Sequence, residues 1–281
     1  MITALTIADV KKYVNEWKKN GESIGLVPTM GYLHEGHASL IKRAREENDR
    51  VIVSDFVNPT QFGPNEDLDS YPRDFEADKR LCESIGADLI FHPTPEEMYG
   101  ECHFTKVHVD TLTEGLCGAV RPVHFDGVCT VVTKLFHIAE ADRAYFGQKD
   151  AQQLAVVKRM VHDLNYNIEI IGCPIIREED GLAKSSRNTY LSPEERKAAV
   201  ILSASLRDAR AMIDSGEKDL GKITALITEK IKTEPLARID YVSAVDFTRL
   251  KPKKTLDGEE TLIAIAVYIG KVRLIDNIIV R

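Results

Sequence analysis

Through residues 1–176, short runs of β-branched and aromatic residues alternate with longer stretches of helical period. This alternation constrains the fold more than any other feature of the chain. The strand candidates are 24–28, 51–56, 88–92, 143–146 and 168–171, and helical patterns lie near 7–19, 36–48, 72–85, 127–139 and 150–163. Short strands that are apolar along their length suit a sheet covered on both faces. The order of elements therefore predicts an α/β fold with a mostly parallel sheet and right-handed crossovers.

The character of the chain changes near residue 177. Ser192-Pro193-Glu194-Glu195 reads as a helix start, with a Ser cap, Pro in the first turn and Glu three residues on. That helix should end before Gly216. A further helix is expected near 219–233, with strands near 238–246, 261–269 and 272–280, the last two joined by a hairpin turn at Gly270-Lys271. Two domains are expected: a Rossmann-like parallel-sheet domain over 1–176 and a smaller α+β C-terminal domain over 177–281. The loop 57–71 carries Pro59, Gly63 and Pro64, and connections of this length in compact domains tend to be functional.

A net charge of -7 argues against nonspecific binding to nucleic acid or an anionic membrane surface, since an acidic surface repels both, and leaves room for a local basic pocket for one small anion. Cys82, Cys102, Cys117, Cys129 and Cys173 are scattered and form no C-x-x-C pair, which predicts free thiols in a reducing compartment. Ile7, Val10, Val14 and Trp17 recur at helical spacing among lysines, unlike a signal peptide, and no apolar run approaches the roughly 20 residues that span a bilayer. A cytoplasmic protein is expected.

The first chemical constellation is MGYLHEGH at 30–37, between a strand and a helix. Thr29–Glu35 forms a turn that carries Met30, Gly31, Tyr32, Leu33, His34 and Glu35, and a helix opens at Gly36 or His37. N–H groups in a first helical turn lack intrahelical partners and favour an anion. His34 and His37, three apart, can reach one ligand from the same face, and Gly36 allows close approach to the backbone. HEGH is one residue short of the zinc-protease H-E-x-x-H, and neither G-x-G-x-x-G nor G-x-x-x-x-G-K-[ST] occurs. A dinucleotide enzyme or P-loop ATPase is thereby disfavoured.

The second constellation has two parts. Gly147, Gln148, Lys149 and Asp150 follow the strand candidate RAYF and precede a helix, so they should face the same crevice at the carboxyl ends of the strands. Lys149 can neutralise phosphate, Asp150 can cap a helix or accept from a ribose hydroxyl, and Gln153 both donates and accepts. Lys184, Ser185, Ser186 and Arg187 lie just past the change in chain character, where two hydroxyls between two cations suit a clamp on pyrophosphate.

The combination resembles the HxGH nucleotidyltransferase superfamily. VPTMGYLHEGH, VNPTQFG, YPRD, RPVHFDGV, YFGQKDAQQ and GLAKSSRNTYLS, in that order, resemble the pantothenate synthetase (pantoate–β-alanine ligase) family. The resemblance implies condensation of (R)-pantoate with β-alanine, driven by Mg2+-ATP through a pantoyl adenylate, with release of pyrophosphate and then AMP. It implies that residues 30–37, 147–150, Ile176 and 184–187 bind ATP, with His37 as proton donor and His34, Lys149 and Arg187 on the phosphates. Gln61 and Gln153 would hold pantoate, Gln61 would also meet β-alanine, and Asp78 would be a magnesium ligand. It also implies a homodimer. The family pattern often has an apolar residue where Lys184 stands and an aromatic where Ala151 stands. Lys184 is then either an added phosphate contact or a solvated cation. Two rivals are another HxGH nucleotidyltransferase acting on a phosphorylated acceptor, and a nucleotide-binding protein without turnover.

Overall fold

The computed structural model describes residues 1–64 and 66–281. The elements run β1 (Ile2–Ala4), α1 (Ile7–Lys19), β2 (Ile24–Thr29), α2 (Glu35–Glu47), β3 (Arg50–Asp55), α3 (Phe75–Ile85), β4 (Leu89–Phe91), α4 (Pro95–Tyr99), α5 (Cys117–Val120), α6 (His124–Ala139), β5 (Arg143–Gly147), α7 (Ala151–Asp163) and β6 (Glu169–Cys173). Then follow α8 (Pro193–Ala198), α9 (Ile201–Asp214), α10 (Leu220–Lys232), β7 (Ala237–Asp246), β8 (Thr261–Ile269) and β9 (Val272–Val280).

The six N-terminal strands form one parallel sheet in the order β1-β4-β3-β2-β5-β6. Its strands are buried on both faces because successive side chains enter different cores. Ile24, Leu26 and Ile52 face a core with α1, α6 and α7, whereas Val27, Val51 and Val53 face Leu40, Ile41 and Cys82 of α2 and α3. β3 and β4 lie on one side of β2, and β5 pairs on the other side. The strand order therefore reverses between β2 and β5, the place where open α/β sheets hold ligands.

β7, β8 and β9 form an antiparallel sheet. β8 is also buried on both faces: Ile263, Ile265 and Val267 pack under α9 and α10, while Leu262 and Ala264 join the core of the parallel-sheet part. The tight turn at Gly270-Lys271 pairs Ile269 with Val272, and Gly270 has the positive φ of +56° that the turn requires. All five cysteines are free thiols, and no described helix is long and apolar enough to cross a membrane.

Several details depart from the sequence reading, among them the short helices α4 and α5, which lie where no element is expected. β1 is only three residues long, too short for a periodic signal. α3 begins at Phe75 rather than 72, because Pro72 precedes Asp74, whose side chain accepts from Ala77 N at 3.0 Å and caps the helix. The helix expected from Ser192 is two helices, since Val200 N and Leu202 N turn to carbonyls three residues back, Lys197 O and Ala199 O.

Gly127 sits where α6 crosses the 3-10 turn Pro59–Gln61, and a Cβ there would lie 2.5 Å from both Gln61 N and Gln61 Cα. Backbone on backbone cannot yield as a side chain can. Gly127→Ala should therefore cost about 1–3 kcal/mol in a urea unfolding titration, the usual range for overpacking. A cost near zero would mean that α6 does not press on this turn.

Candidate active site

β2 and β5 end side by side, and the segments that follow them form the floor of the site. The turn after β2 is held from behind by Asp78, whose carboxylate accepts from Tyr32 N and Leu33 N at 2.6 Å each. Thr29 Oγ1 accepts from Gly31 N at 3.2 Å and donates to Ser54 O at 2.7 Å. Gly31 has φ +77°, and a Cβ on it would strike Asp55 Oδ1, so only glycine fits.

The two histidines cap the helix they open. His34 Nδ1 accepts from Gly36 N at 3.1 Å, and His37 Nδ1 accepts from His34 N at 3.3 Å. The ring centroids are 4.1 Å apart. With both Nδ1 atoms used as acceptors, the proton of each neutral ring resides on Nε2. Burial, helped by Lys149, lowers the His34 pKa to about 4; burial, helped by His34, lowers that of His37 to about 3. The result is two neutral Nε2–H donors at a helix N-terminus.

Gly147 ends β5, and Gln148–Asp150 form a single 3-10 turn before α7. Asn277 of β9 fixes that turn by donating from Nδ2 to Gln148 O and Lys149 O, both at 3.0 Å. Lys149 Nζ lies 3.6 Å from Asp150 Oδ1. Enclosure opposes ionisation of Asp150, but Lys149 and Arg187 outweigh it and hold the carboxyl below its ordinary range.

The segment at 184–187 reaches across from the C-terminal part. Lys184 N donates to Ile176 O at 2.9 Å, and Ser186 Oγ donates to Tyr32 O at 3.3 Å. Lys184 Nζ pairs with Glu35 at 2.9 Å and Glu178 at 3.0 Å. Lys184 is therefore not simply solvated: it ties this segment to the first residue of α2. Arg187 pairs with Asp67 and lies over the Tyr71 ring, 5.8 Å from its centroid.

Gln61 is buried. Its Oε1 accepts from Asn58 Nδ2 at 3.1 Å, and its Nε2 lies 2.9 Å from Met30 Sδ. Its carbonyl is 3.0 Å from His124 Nδ1. Met30, His34, Gly36, His37, Gln61, Gly147, Lys149, Asp150, Gln153, Ile176 and 184–187 all line one cavity of about 220 Å³. An adjoining chamber of about 730 Å³ between the two sheets shares Arg121, His124, Lys149, Asp150, Gln153, Ser185 and Arg187.

Asp78, expected as a magnesium ligand, is held against the backbone of the turn. It is buried, both oxygens are taken by backbone amides, and no group of three or more His, Cys, Asp or Glu among the described residues could hold a metal ion. It positions the turn. Burial raises its pKa to about 6, with Asp55 adding to the rise and the two amides opposing it. Sequence reading also missed Asn58 and Asn277. Asn58 lies inside VNPTQFG, whereas Asn277 comes from the far end of the chain with no local signal.

A sequence model of the family described as pantoate-beta-alanine ligase matches residues 2–279. A pantothenate synthetase of Clostridium botulinum (strain Loch Maree / Type A3) is 64% identical over 272 residues, covering 97% of this chain and 96% of that protein. One of Enterococcus faecalis is 61% identical over 277 residues, covering 99% and 98%. The crystal structure of pantothenate synthetase from Thermus thermophilus superposes with a TM-score of 0.93 at 46% identity, covering 99% of each chain. A pantoate-beta-alanine ligase from Francisella tularensis, complexed with beta-gamma ATP and beta-alanine, does so at 0.80 and 37%, covering 99% and 97%. On the whole-length match and the level of identity, the chain belongs to the pantoate–β-alanine ligase family.

Proposed function

We infer that this chain joins (R)-pantoate to β-alanine at the expense of ATP. The observation that carries the reading is the pairing of two neutral Nε2–H histidines with Lys149 at the switch point, beside two glutamines. A pantoate carboxylate oxygen attacks the α-phosphorus, forming the acyl–phosphate bond and expelling pyrophosphate. The β-alanine amine then attacks the acyl carbon and AMP departs with the bonding pair. Neither step needs a protein nucleophile; both need charge stabilisation and positioning.

Residues 30–37 and 147–150, the backbone at Ile176 and residues 184–187 surround ATP in this reading. His34 and His37 donate Nε2–H hydrogen bonds to the phosphates as negative charge builds, and Lys149 and Arg187 neutralise the leaving group. His37 acts as a neutral hydrogen-bond donor rather than as the proton source the family resemblance implies. Gln61, oriented by Asn58, and Gln153 hold the pantoate hydroxyl and carboxylate, and Gln61 also meets β-alanine. Mg2+ would accompany the nucleotide, bound chiefly by phosphate oxygens, and would draw charge from the triphosphate. Residues 1–176 form the binding domain and 177–281 the lid. The protein works in the cytoplasm as a homodimer, which sedimentation would test.

The alternative acceptor class, a phosphorylated alcohol, calls for cations where Gln61 and Gln153 stand. Exchange of labelled pyrophosphate into ATP should require pantoate, and AMP should appear only once β-alanine is added. Exchange driven by a phosphorylated acceptor but not by pantoate would overturn the reading. His37→Ala should slow the exchange by about 10²–10³-fold, as loss of one preorganised donor does.

Asp78 gives the pH dependence. Ionised, it offers an acceptor to each amide; protonated, one of those oxygens must become a donor and the turn loosens. kcat/KM for ATP should fall as pH drops through about 6, and Asp78→Asn should be low and flat across that range. Folding stability runs the other way. A carboxyl raised to about 6 binds its proton more tightly folded than unfolded, so its contribution falls as pH rises from about 4 to 6 and is constant above. An acid limb that persists in Asp78→Asn would assign the titration elsewhere.

A further inference from the structure

Two arginines face the cleft, and adjacent carboxylates of one loop hold them. Arg187 donates from Nε to Asp67 Oδ2 at 3.0 Å and from Nη2 to Asp67 Oδ1 at 2.9 Å. Arg121 donates from Nε to Glu66 Oε2 at 3.0 Å and also reaches that oxygen from Nη2. All four side chains line the larger chamber, and the two arginines also line the smaller one. Each pair is mostly shielded from solvent, with side-chain exposures between 18% and 30%. Both carboxyls stay ionised: burial resists it, but the arginines hold them below the ordinary range.

The Nε/Nη2 edge of a guanidinium fits two oxygens of a carboxylate or two of a phosphate, but not both anions together. Any phosphate that takes that edge of Arg187 must displace Asp67. The loop that would move also carries Gln61 near its start, and Arg121 Nη2 donates to Gln61 O at 3.4 Å while holding Glu66. Arg121 thus joins the acidic end of the loop to the glutamine. Tyr190 Oη, donating to Ser70 O at 3.1 Å, ties the same loop to the segment after Arg187.

We propose that Asp67 and Glu66 are internal competitors for the arginines that receive pyrophosphate. Phosphate oxygens displace them when nucleotide binds, and they reclaim the arginines as pyrophosphate leaves, so loop 57–71 moves with the exchange. This rests on the reading that the site releases pyrophosphate from ATP. A purely structural clasp would have the opposite sign, because losing the carboxylate would disorder the arginine and weaken anion binding.

The test is calorimetric titration of the full chain with inorganic pyrophosphate in EDTA, which removes any metal-bridging role for the carboxylates. Asp67→Asn should tighten pyrophosphate about tenfold and Glu66→Gln several-fold. Hydrogen exchange over 57–71 should rise when pyrophosphate binds the parent chain, and already be raised in Asp67→Asn. Unchanged or weaker pyrophosphate binding in folded Asp67→Asn overturns the proposal. If that variant does not fold by circular dichroism, Glu66→Gln decides by the same criterion. The titration uses no pantoate, so a chain that tightens on pyrophosphate but lacks pantoate-dependent exchange refutes the ligase reading alone.

Discussion

The turn between β2 and α2 presents backbone N–H groups to both of its sides, and the buried carboxylate of Asp78 takes two of them, from Tyr32 and Leu33. Without an acceptor behind it, that turn would leave two amide donors in an apolar wall, at a cost of roughly 1–3 kcal/mol each. With one, the turn is pinned and the histidines beyond it are delivered to the cleft. His34 and His37 then satisfy two more orphan donors of the helix with their own Nδ1 atoms. A single arrangement of acceptors thus builds the helix start and chooses the tautomer that points Nε2–H at a ligand.

Electrostatics around the cleft follow from the same geometry. Burial makes protonation of the histidines unfavourable, and Lys149 adds to that, so the site keeps neutral donors beside one compact cation. The other cations at the cleft are balanced within the chain: Arg187 by Asp67, Arg121 by Glu66 and Lys184 by Glu35 and Glu178. The C-terminal part contributes in kind. Asn277 holds the GQKD turn, and the adjacent buried Asp276 pairs with Arg177 at 2.7 Å, anchoring the connection between the two parts. Such a buried pair is weak evidence for stability, but breaking it leaves an uncompensated charge, so it sets geometry firmly.

Much of this was legible because it is local. Strand candidates fell on five of the six parallel strands, since both-face burial leaves a continuous apolar signature; β1 escaped because three residues carry no period. Ser192 with Glu195 capped α8 as the pattern required, yet the break after Ala198 was invisible, because Ala199 and Val200 remain right-handed and only the bonds from Val200 N and Leu202 N turn to carbonyls three residues back. Lys184 read as a phosphate contact or a solvated charge because its neighbours in sequence are hydroxyls. Its partners, Glu35 and Glu178, become neighbours only when the segment folds back.

The order of strands and helices, the two-histidine helix start and the strand-end placement of GQKD were determined by the sequence itself, since each depends on spacing and capping within a few residues. Which strand ends lie together was decided by the tertiary structure, through the reversal of order between β2 and β5. So was the fate of each charge. Asp78 reads as a metal ligand among several acids in one dimension, and only burial against Tyr32 and Leu33 turns its carboxylate inward to the backbone. Asn277 reaches residues more than a hundred positions away. Partners at that distance leave no local trace, because a hydrogen bond depends on proximity in space while sequence pattern records only proximity along the chain.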